Sequence, residues 1–130
     1  MGLLRDRADM EIGQRESRGK SMSPFEAFSS VDIRAGRITR VEVNAGAIKP
    51  SYKIWIDFGV LGELATSAQY TALYQAEALR GKTVVCAVNL GARRIGGFKS
   101  EVLMLGAEEG PGKTVFLTTE RDVPPGSKVF

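Results

Sequence analysis

From Phe25 onwards, short runs of alternating apolar and polar residues fill most of the chain. Residues 33–43 predict a long first strand, with Gly36 at a position where a bulge would let the strand curl into a barrel. In residues 52–58 the apolar side chains recur at every second position, which is typical of a strand with one buried face. Residues 64–68 predict a third, shorter strand.

The period then changes from two to between three and four. Within residues 71–80, Leu73, Ala76 and Leu79 recur three apart, Thr71 can cap the N-terminus, and Gly81 follows where a left-handed residue would end a helix. The pattern therefore predicts one short helix among strands.

The second half of the chain returns to strands. Residues 83–88 are almost wholly apolar, as in a strand that is buried on both faces. Further strands are predicted at 99–105 and 115–118, followed by a short extended end at 128–130. Five or more short strands with one helix between the third and fourth predict an all-β fold, namely an OB-fold, which is a five-stranded Greek-key barrel.

The first 23 residues differ from the rest. They carry five basic and four acidic residues with little apolar content, so they cannot bury enough surface to fold alone. We predict an N-terminal tail or extension at 1–23 and one domain at 24–130. Met22 is a plausible first residue of the natural protein, and the residues before it would then be an upstream extension.

The amino-acid composition excludes several kinds of catalytic and metal-binding site. The 130 residues include no histidine and one cysteine, which excludes serine–histidine and cysteine–histidine nucleophiles, histidine metal sites and an intrachain disulfide. Cys86 lies in the apolar run and is expected to be a buried small hydrophobe. No apolar run is long enough to insert into a membrane. We expect a cytoplasmic protein that is not an enzyme and has no metal or other cofactor.

The net charge of +3, from 18 basic and 15 acidic residues, is too small to indicate nucleic-acid binding. Placement is more informative, because residues 89–101 set three basic side chains beside Ile95 and Phe98, with Gly96 and Gly97 between them. Such a segment could bind phosphates or a stacked apolar group. A solvent-exposed hairpin loop whose charges keep it soluble explains the pattern equally well.

Weaker signals lie elsewhere. Asp32 and Arg34 fall on one face of the first strand and could form an ion pair. Trp55 alternates with the apolar row, so it is either half exposed or buried against a partner chain or a ligand. Glu108 and Glu109 are predicted to lie in a turn, where neighbouring carboxylates point apart.

Three motifs resemble those of the CsaA family of small export-related chaperones. They are the segment Asp32-Ile33-Arg34-Ala35-Gly36-Arg37-Ile38, then Ser67-Ala68-Gln69, then Asn89 with residues 93–106. That family belongs to a wider group of tRNA-binding OB domains. The resemblance covers residues 25–130.

The resemblance implies a homodimeric cytoplasmic chaperone that binds unfolded or precursor polypeptides and assists protein secretion. The tRNA-binding relatives carry a Ser-Glu-Gly-Met-like segment where this chain has Ser100-Glu101-Val102-Leu103. Ser100 and Glu101 are kept, whereas Val102 and Leu103 replace the glycine–methionine pair, which matches the chaperone branch of the family. Binding of tRNA or structured RNA is the alternative interpretation. The candidate peptide- or RNA-binding residues at the barrel rim are Ser67, Gln69, Asn89, Arg93, Arg94, Phe98, Lys99 and Ser100. The candidate dimer-interface residues are Phe25, Phe28, Val129 and Phe130.

Overall fold

The computed structural model of the protein describes residues 21–130. One compact unit, which contains the barrel, extends from Val31 to Phe130. The helices are α1 (Pro24–Ser30) and α2 (Ala76–Leu79), with a 3-10 turn at Gly59–Leu61. The strands are β1 (Ile33–Val43), β2 (Tyr52–Asp57), β3 (Glu63–Ala68), β4 (Thr83–Ala87), β5 (Arg93–Ile95), β6 (Phe98–Ser100), β7 (Leu103–Met104), β8 (Gly106–Gly110), β9 (Lys113–Phe116) and β10 (Lys128–Val129).

Helix α1 replaces the strand pattern expected from Phe25. The Ser23 hydroxyl accepts a hydrogen bond from the Glu26 backbone N–H at 3.1 Å, and the Glu26 carboxylate accepts one from the Ser23 N–H at 2.8 Å. This capping box satisfies two donors at the helix start and favours a helix over an extended chain. Phe25 and Phe28 are both exposed on it.

The main sheet is antiparallel, with the strand order β3-β2-β1-β4-β7. The first half of β1 pairs with β4 and its second half with β2, so the long strand belongs to both sides of the barrel. Strand β10 pairs with the start of β1. This nearly closed barrel, with one short helix between the third and fourth strands, confirms the OB-fold.

The barrel core follows the predicted alternation. Ile54, Ile56 and Phe58 are completely buried, whereas Lys53 and Trp55 between them are half-buried. All five residues of β4 are buried, as its unbroken apolar run predicts. Burial raises the pKa of the Cys86 thiol to about 12, so this side chain stays protonated and is part of the core.

The predicted ion pair on β1 is present. The Arg34 guanidinium donates to the Asp32 carboxylate at 2.7 and 3.3 Å, and it also donates to the Gly126 carbonyl at 3.1 Å. The hydrogen bond from Arg34 holds the pKa of Asp32 below its usual value. The pair therefore joins the first strand to the segment that precedes β10.

The helix expected over residues 71–80 is reduced to Ala76–Leu79. The Tyr52 hydroxyl donates to the Tyr74 carbonyl at 2.8 Å, so this carbonyl takes part in tertiary packing, and Gln75 is extended. Long-range contacts thus override the local helical period in the first turn. Gly81, with φ of 79°, has the predicted left-handed conformation.

Two further predictions are wrong. The single strand expected over 99–105 is split into β6 and β7, because Glu101 and Val102 direct their N–H groups to the carbonyl of Ala65 at 2.7 and 3.3 Å. The turn expected around Glu108 and Glu109 is instead strand β8, which pairs with β9 in a separate ribbon.

Gly36 does not form the predicted bulge. The register shift on β1 lies between Ile38 and Arg40. Gly36 serves close packing instead, because a Cβ there would lie 2.5 Å from the Ile56 side chain and 2.7 Å from that of Phe58.

We predict that Gly36→Ala lowers the free energy of unfolding by about 1–3 kcal/mol, because the added methyl group overpacks a filled core. Chemical denaturation followed by circular dichroism measures the change. Gly110→Ala is the matched control, since a Cβ there meets no atom closer than 4.0 Å. Equal stabilities of the two variants would contradict the packing role of Gly36.

Candidate functional site

The basic segment singled out in the sequence forms a β-hairpin. Strands β5 and β6 pair through Arg93↔Ser100 and Ile95↔Phe98. Gly96 and Gly97 make the turn with φ of 58° and 79°, a left-handed conformation that other residues rarely adopt. The hairpin is exposed at Arg93 and Arg94 and half-buried at Ile95 and Phe98.

Two contacts that the sequence does not reveal hold this hairpin on the barrel. The buried Asn44 amide donates to the Ser67 hydroxyl at 3.0 Å and to the Ile95 carbonyl at 3.1 Å. The backbones of Gly46 and Gly96 approach so closely that a Cβ on Gly46 would lie 2.6 Å from the Gly96 oxygen. The β1–β2 loop and the hairpin turn therefore support each other.

The barrel is closed by side chains as well as by backbone. The Glu101 carboxylate accepts a hydrogen bond from the Ala65 N–H at 3.0 Å, while the Glu101 N–H donates to the Ala65 carbonyl at 2.7 Å. The Ser100 hydroxyl accepts one from the Ser67 N–H at 3.0 Å. Ser100 and Glu101 thus satisfy the edge of β3, and Ser100 has a structural role in addition to its position at the rim.

Two adjoining clefts, of about 300 and 310 Å³, open where β3 meets the hairpin. We call them together the rim groove. Among the described residues that line it, Arg93 alone carries a charge, and it has no ion pair within residues 21–130. Both clefts are lined by Thr66, Ser67, Arg93, Ile95 and Leu103; Leu90 and Val102 extend the aliphatic wall of the first.

The structure brings together part of the predicted site. Ser67, Gln69, Arg93 and Ser100 line the rim groove. The other predicted residues lie elsewhere, for reasons that their contacts show.

Asn89 accepts a hydrogen bond from the Asp32 N–H at 2.7 Å and so joins the end of β4 to the start of β1. Arg94 donates to the Gly97 carbonyl at 3.1 Å, and the Lys99 ammonium lies 4.0 Å from the Glu101 carboxylate. None of these three residues is among those that line the groove.

Phe98 belongs to a second surface, on the outer face of the barrel. Its ring meets that of Trp55 edge to face, with centroids 5.4 Å apart. The Arg40 guanidinium lies 4.3 Å from the Trp55 ring, and the Lys53 ammonium lies 5.3 Å from the Phe98 ring. We call Arg40, Lys53, Trp55 and Phe98 the Trp55 cluster.

Within residues 21–130, no group of acidic and cysteine side chains is placed to hold a metal ion. In the same range, no helix is long and apolar enough to cross a membrane. The described surface carries a hydroxyl-lined aliphatic groove and an aromatic cluster with two cations.

Comparison with known protein families and sequences identifies the family to which the domain belongs. Residues 33–128 match the family described as a putative tRNA binding domain. The matching curated relatives include the methionine–tRNA ligases of Pyrococcus furiosus, at 34% identity over 106 residues, and of Archaeoglobus fulgidus, at 36% over 105. The chain spans only 14% and 16% of those enzymes, whereas the match covers 81% of the chain.

Comparison with solved structures identifies a smaller group within this family. The chaperone CsaA from Bacillus anthracis is 39% identical, with a TM-score of 0.76, and the match covers 85% of this chain and 100% of that one. The CsaA chaperone protein from Picrophilus torridus is also 39% identical, with a TM-score of 0.78 and coverage of 84% and 100%. The chain belongs to the putative tRNA-binding domain family and, within it, to the CsaA group.

We predict that Glu101→Ala lowers the free energy of unfolding by about 1–3 kcal/mol, because the Ala65 N–H loses its acceptor at the barrel seam. Amide hydrogen exchange at Ala65 should accelerate in parallel. Glu101→Gln keeps an acceptor oxygen and should behave nearly as the wild type. Slow exchange at Ala65 in the alanine variant would show that the seam does not need this side chain.

Proposed function

We propose that this protein is a molecular chaperone that binds unfolded or precursor polypeptides in the cytoplasm and assists their secretion. The observation that carries the proposal is the 39% identity to two proteins named as CsaA chaperones, whose whole length the chain covers. The rim groove supports it, since a holdase needs exposed apolar surface beside polar groups.

The groove suits an extended polypeptide. Leu90 and Leu103 are about half exposed at its wall and would receive apolar side chains of the client. Arg93 and the Ser67 hydroxyl would hydrogen-bond client carbonyl and amide groups, which must not be left unpaired when water is displaced. Binding of this kind is passive, and release follows the off-rate and the folding of the client.

We further propose that the chain acts as a homodimer. Phe25, Phe28 and Phe130 are 78%, 51% and 98% exposed, and large aromatic side chains on a surface favour burial against a partner. Val129 pairs with Ile33 of β1, and the other edge of β10 has no partner strand within residues 21–130. Two grooves in one dimer would retain a long client by avidity.

Binding of tRNA or structured RNA is the second candidate function. The family match over residues 33–128 favours it, and the Arg93, Arg94 and Lys99 side chains would contact phosphates. Salt separates the two candidates, because phosphate contacts weaken steeply as salt rises whereas apolar contacts do not.

We predict that the wild type slows the aggregation of a chemically denatured client in light-scattering assays, and does so equally at low and high salt. Leu90→Asp and Leu103→Asp should abolish most of this effect, because a carboxylate at the aliphatic wall opposes apolar side chains. Val60→Asp is the control, since Val60 is 96% exposed and outside the groove. A wild type that shifts tRNA on a gel but leaves aggregation unchanged would favour the RNA candidate.

We also predict that Phe25→Asp combined with Phe28→Asp halves the mass seen by sedimentation equilibrium, because a charged helix face cannot be buried in an interface. Ile48→Asp, at a fully exposed position, should leave the mass unchanged. Circular dichroism checks that both variants are folded. A monomeric wild type would refute the dimer.

A further inference from the structure

The rim groove carries a charge as well as an aliphatic wall. We propose that it selects extended polypeptide segments in which an aspartate or glutamate side chain lies beside aliphatic ones, with the carboxylate bound by Arg93 and the Ser67 hydroxyl. The inference rests on the proposed polypeptide-binding function and names the class of client segment that the groove prefers.

The guanidinium of Arg93 is available for a ligand, unlike the two cations beside it in the hairpin. Arg94 donates to the Gly97 carbonyl at 3.1 Å, and the Lys99 ammonium lies 4.0 Å from the Glu101 carboxylate. The Arg93 side chain is exposed and makes no hydrogen bond or ion pair within residues 21–130. No described residue that lines the groove is acidic. The groove therefore carries one uncompensated positive charge.

The Ser67 hydroxyl supplies a second donor, because the Asn44 amide already donates to its oxygen at 3.0 Å. The same amide donates to the Ile95 carbonyl at 3.1 Å, and turning it over would set its oxygen against that carbonyl. The amide orientation is thus fixed by the buried position of Asn44. The hydroxyl hydrogen of Ser67 has no acceptor within residues 21–130, so it can be donated to a ligand in the groove.

Strand pairing brings these two donors to one place. Arg93 pairs with Ser100 in the β5–β6 hairpin, and the Ser100 hydroxyl accepts a hydrogen bond from the Ser67 N–H at 3.0 Å. Paired residues of an antiparallel ribbon point to the same face, with Cβ atoms about 4.5–5.5 Å apart. Arg93 and Ser67 therefore flank Ser100 from its two sides, and both line both clefts. Since the arginine side chain is long and carries five N–H donors, one carboxylate can accept hydrogen bonds from both groups.

A guanidinium has no acceptor, so Arg93 favours ligands that bring one. A client carbonyl satisfies this donor, but a carboxylate does so with charge-assisted hydrogen bonds, which are roughly twice as strong as neutral ones. A lysine side chain at the same place would be repelled. Secretory leader segments begin with a basic region, so the preferred segments of a precursor would lie in its mature part.

The aliphatic side chains decide which residues accompany the carboxylate. Ile95 and Leu103 line both clefts together with Arg93, and Leu90 and Val102 extend the wall of the first cleft. In an extended chain, side chains two positions apart point to the same side and lie about 6.6 Å from each other. A segment with an acidic residue two positions from an aliphatic one would therefore fill the first cleft and reach Arg93.

The test uses short, fluorescently labelled peptides with amidated C-termini, in which leucine alternates with serine and the central leucine is replaced. In anisotropy titrations with the full chain, the glutamate peptide should bind about tenfold more tightly than the glutamine peptide, and the lysine peptide should bind more weakly still. Arg93→Ala should remove the difference between glutamate and glutamine. Arg93→Glu should make the lysine peptide the tightest of the three. Arg94→Ala is the matched control, because it removes a neighbouring exposed positive charge that does not line the groove and should keep the order.

The outcomes separate this proposal from the chaperone function on which it rests. A wild type that suppresses client aggregation but binds the glutamate and glutamine peptides equally would overturn the carboxylate preference and leave the chaperone function standing. A wild type that neither suppresses aggregation nor binds any of the peptides would refute both. If a glutamine peptide with a free C-terminal carboxylate binds as tightly as the amidated glutamate peptide, the groove captures chain ends and the preference for acidic side chains is wrong.

Phosphate is the other anion that Arg93 could bind. Because one carboxylate is a single contact, raising the salt concentration should weaken the glutamate peptide only slightly, whereas tRNA held through several phosphates would be released. If Arg93→Ala abolishes tRNA binding on a gel but keeps the order of the three peptides, Arg93 serves phosphates and the proposal is overturned.

Discussion

The closure of the barrel between β3 and the Ser100–Glu101 corner is the constraint on which the rest of the structure depends. The sheet order leaves β3 with one unpaired edge. Glu101 satisfies it with its backbone and its carboxylate, and Ser100 does so with its hydroxyl. Because the chain must turn there, the strand breaks between β6 and β7, and the hairpin is held beside β3.

That corner explains why two chemically different surfaces lie close together. Within β6, Ser100 contacts β3 and lines the rim groove, while Phe98 meets Trp55 on the outer face. Phe98 and Ser100 are two positions apart and lie on the same side of the strand, where they face two different neighbours, β2 and β3. One hairpin thereby contributes to an aliphatic groove and to an aromatic cluster.

The loops around these surfaces are fixed before any ligand binds. Asn44 ties the end of β1 to both Ser67 and the Ile95 carbonyl, and the Gly46–Gly96 approach leaves no room for a side chain. A preorganised rim loses less conformational entropy on binding than a loose one. This suits a family of binding domains, in which specificity comes from shape and a few polar groups.

The sequence by itself determined the strands β1, β2 and β4, the OB-fold and the buried state of Cys86, because alternation and apolar runs report burial locally. It also indicated Ser67, Gln69, Arg93 and Ser100, which the structure brings to one groove. Only the tertiary structure decided the short α2, the break at Glu101 and the contacts of Trp55 with Arg40 and Phe98. Each of these depends on hydrogen bonds or ring contacts between residues far apart in the chain, and no local period records them.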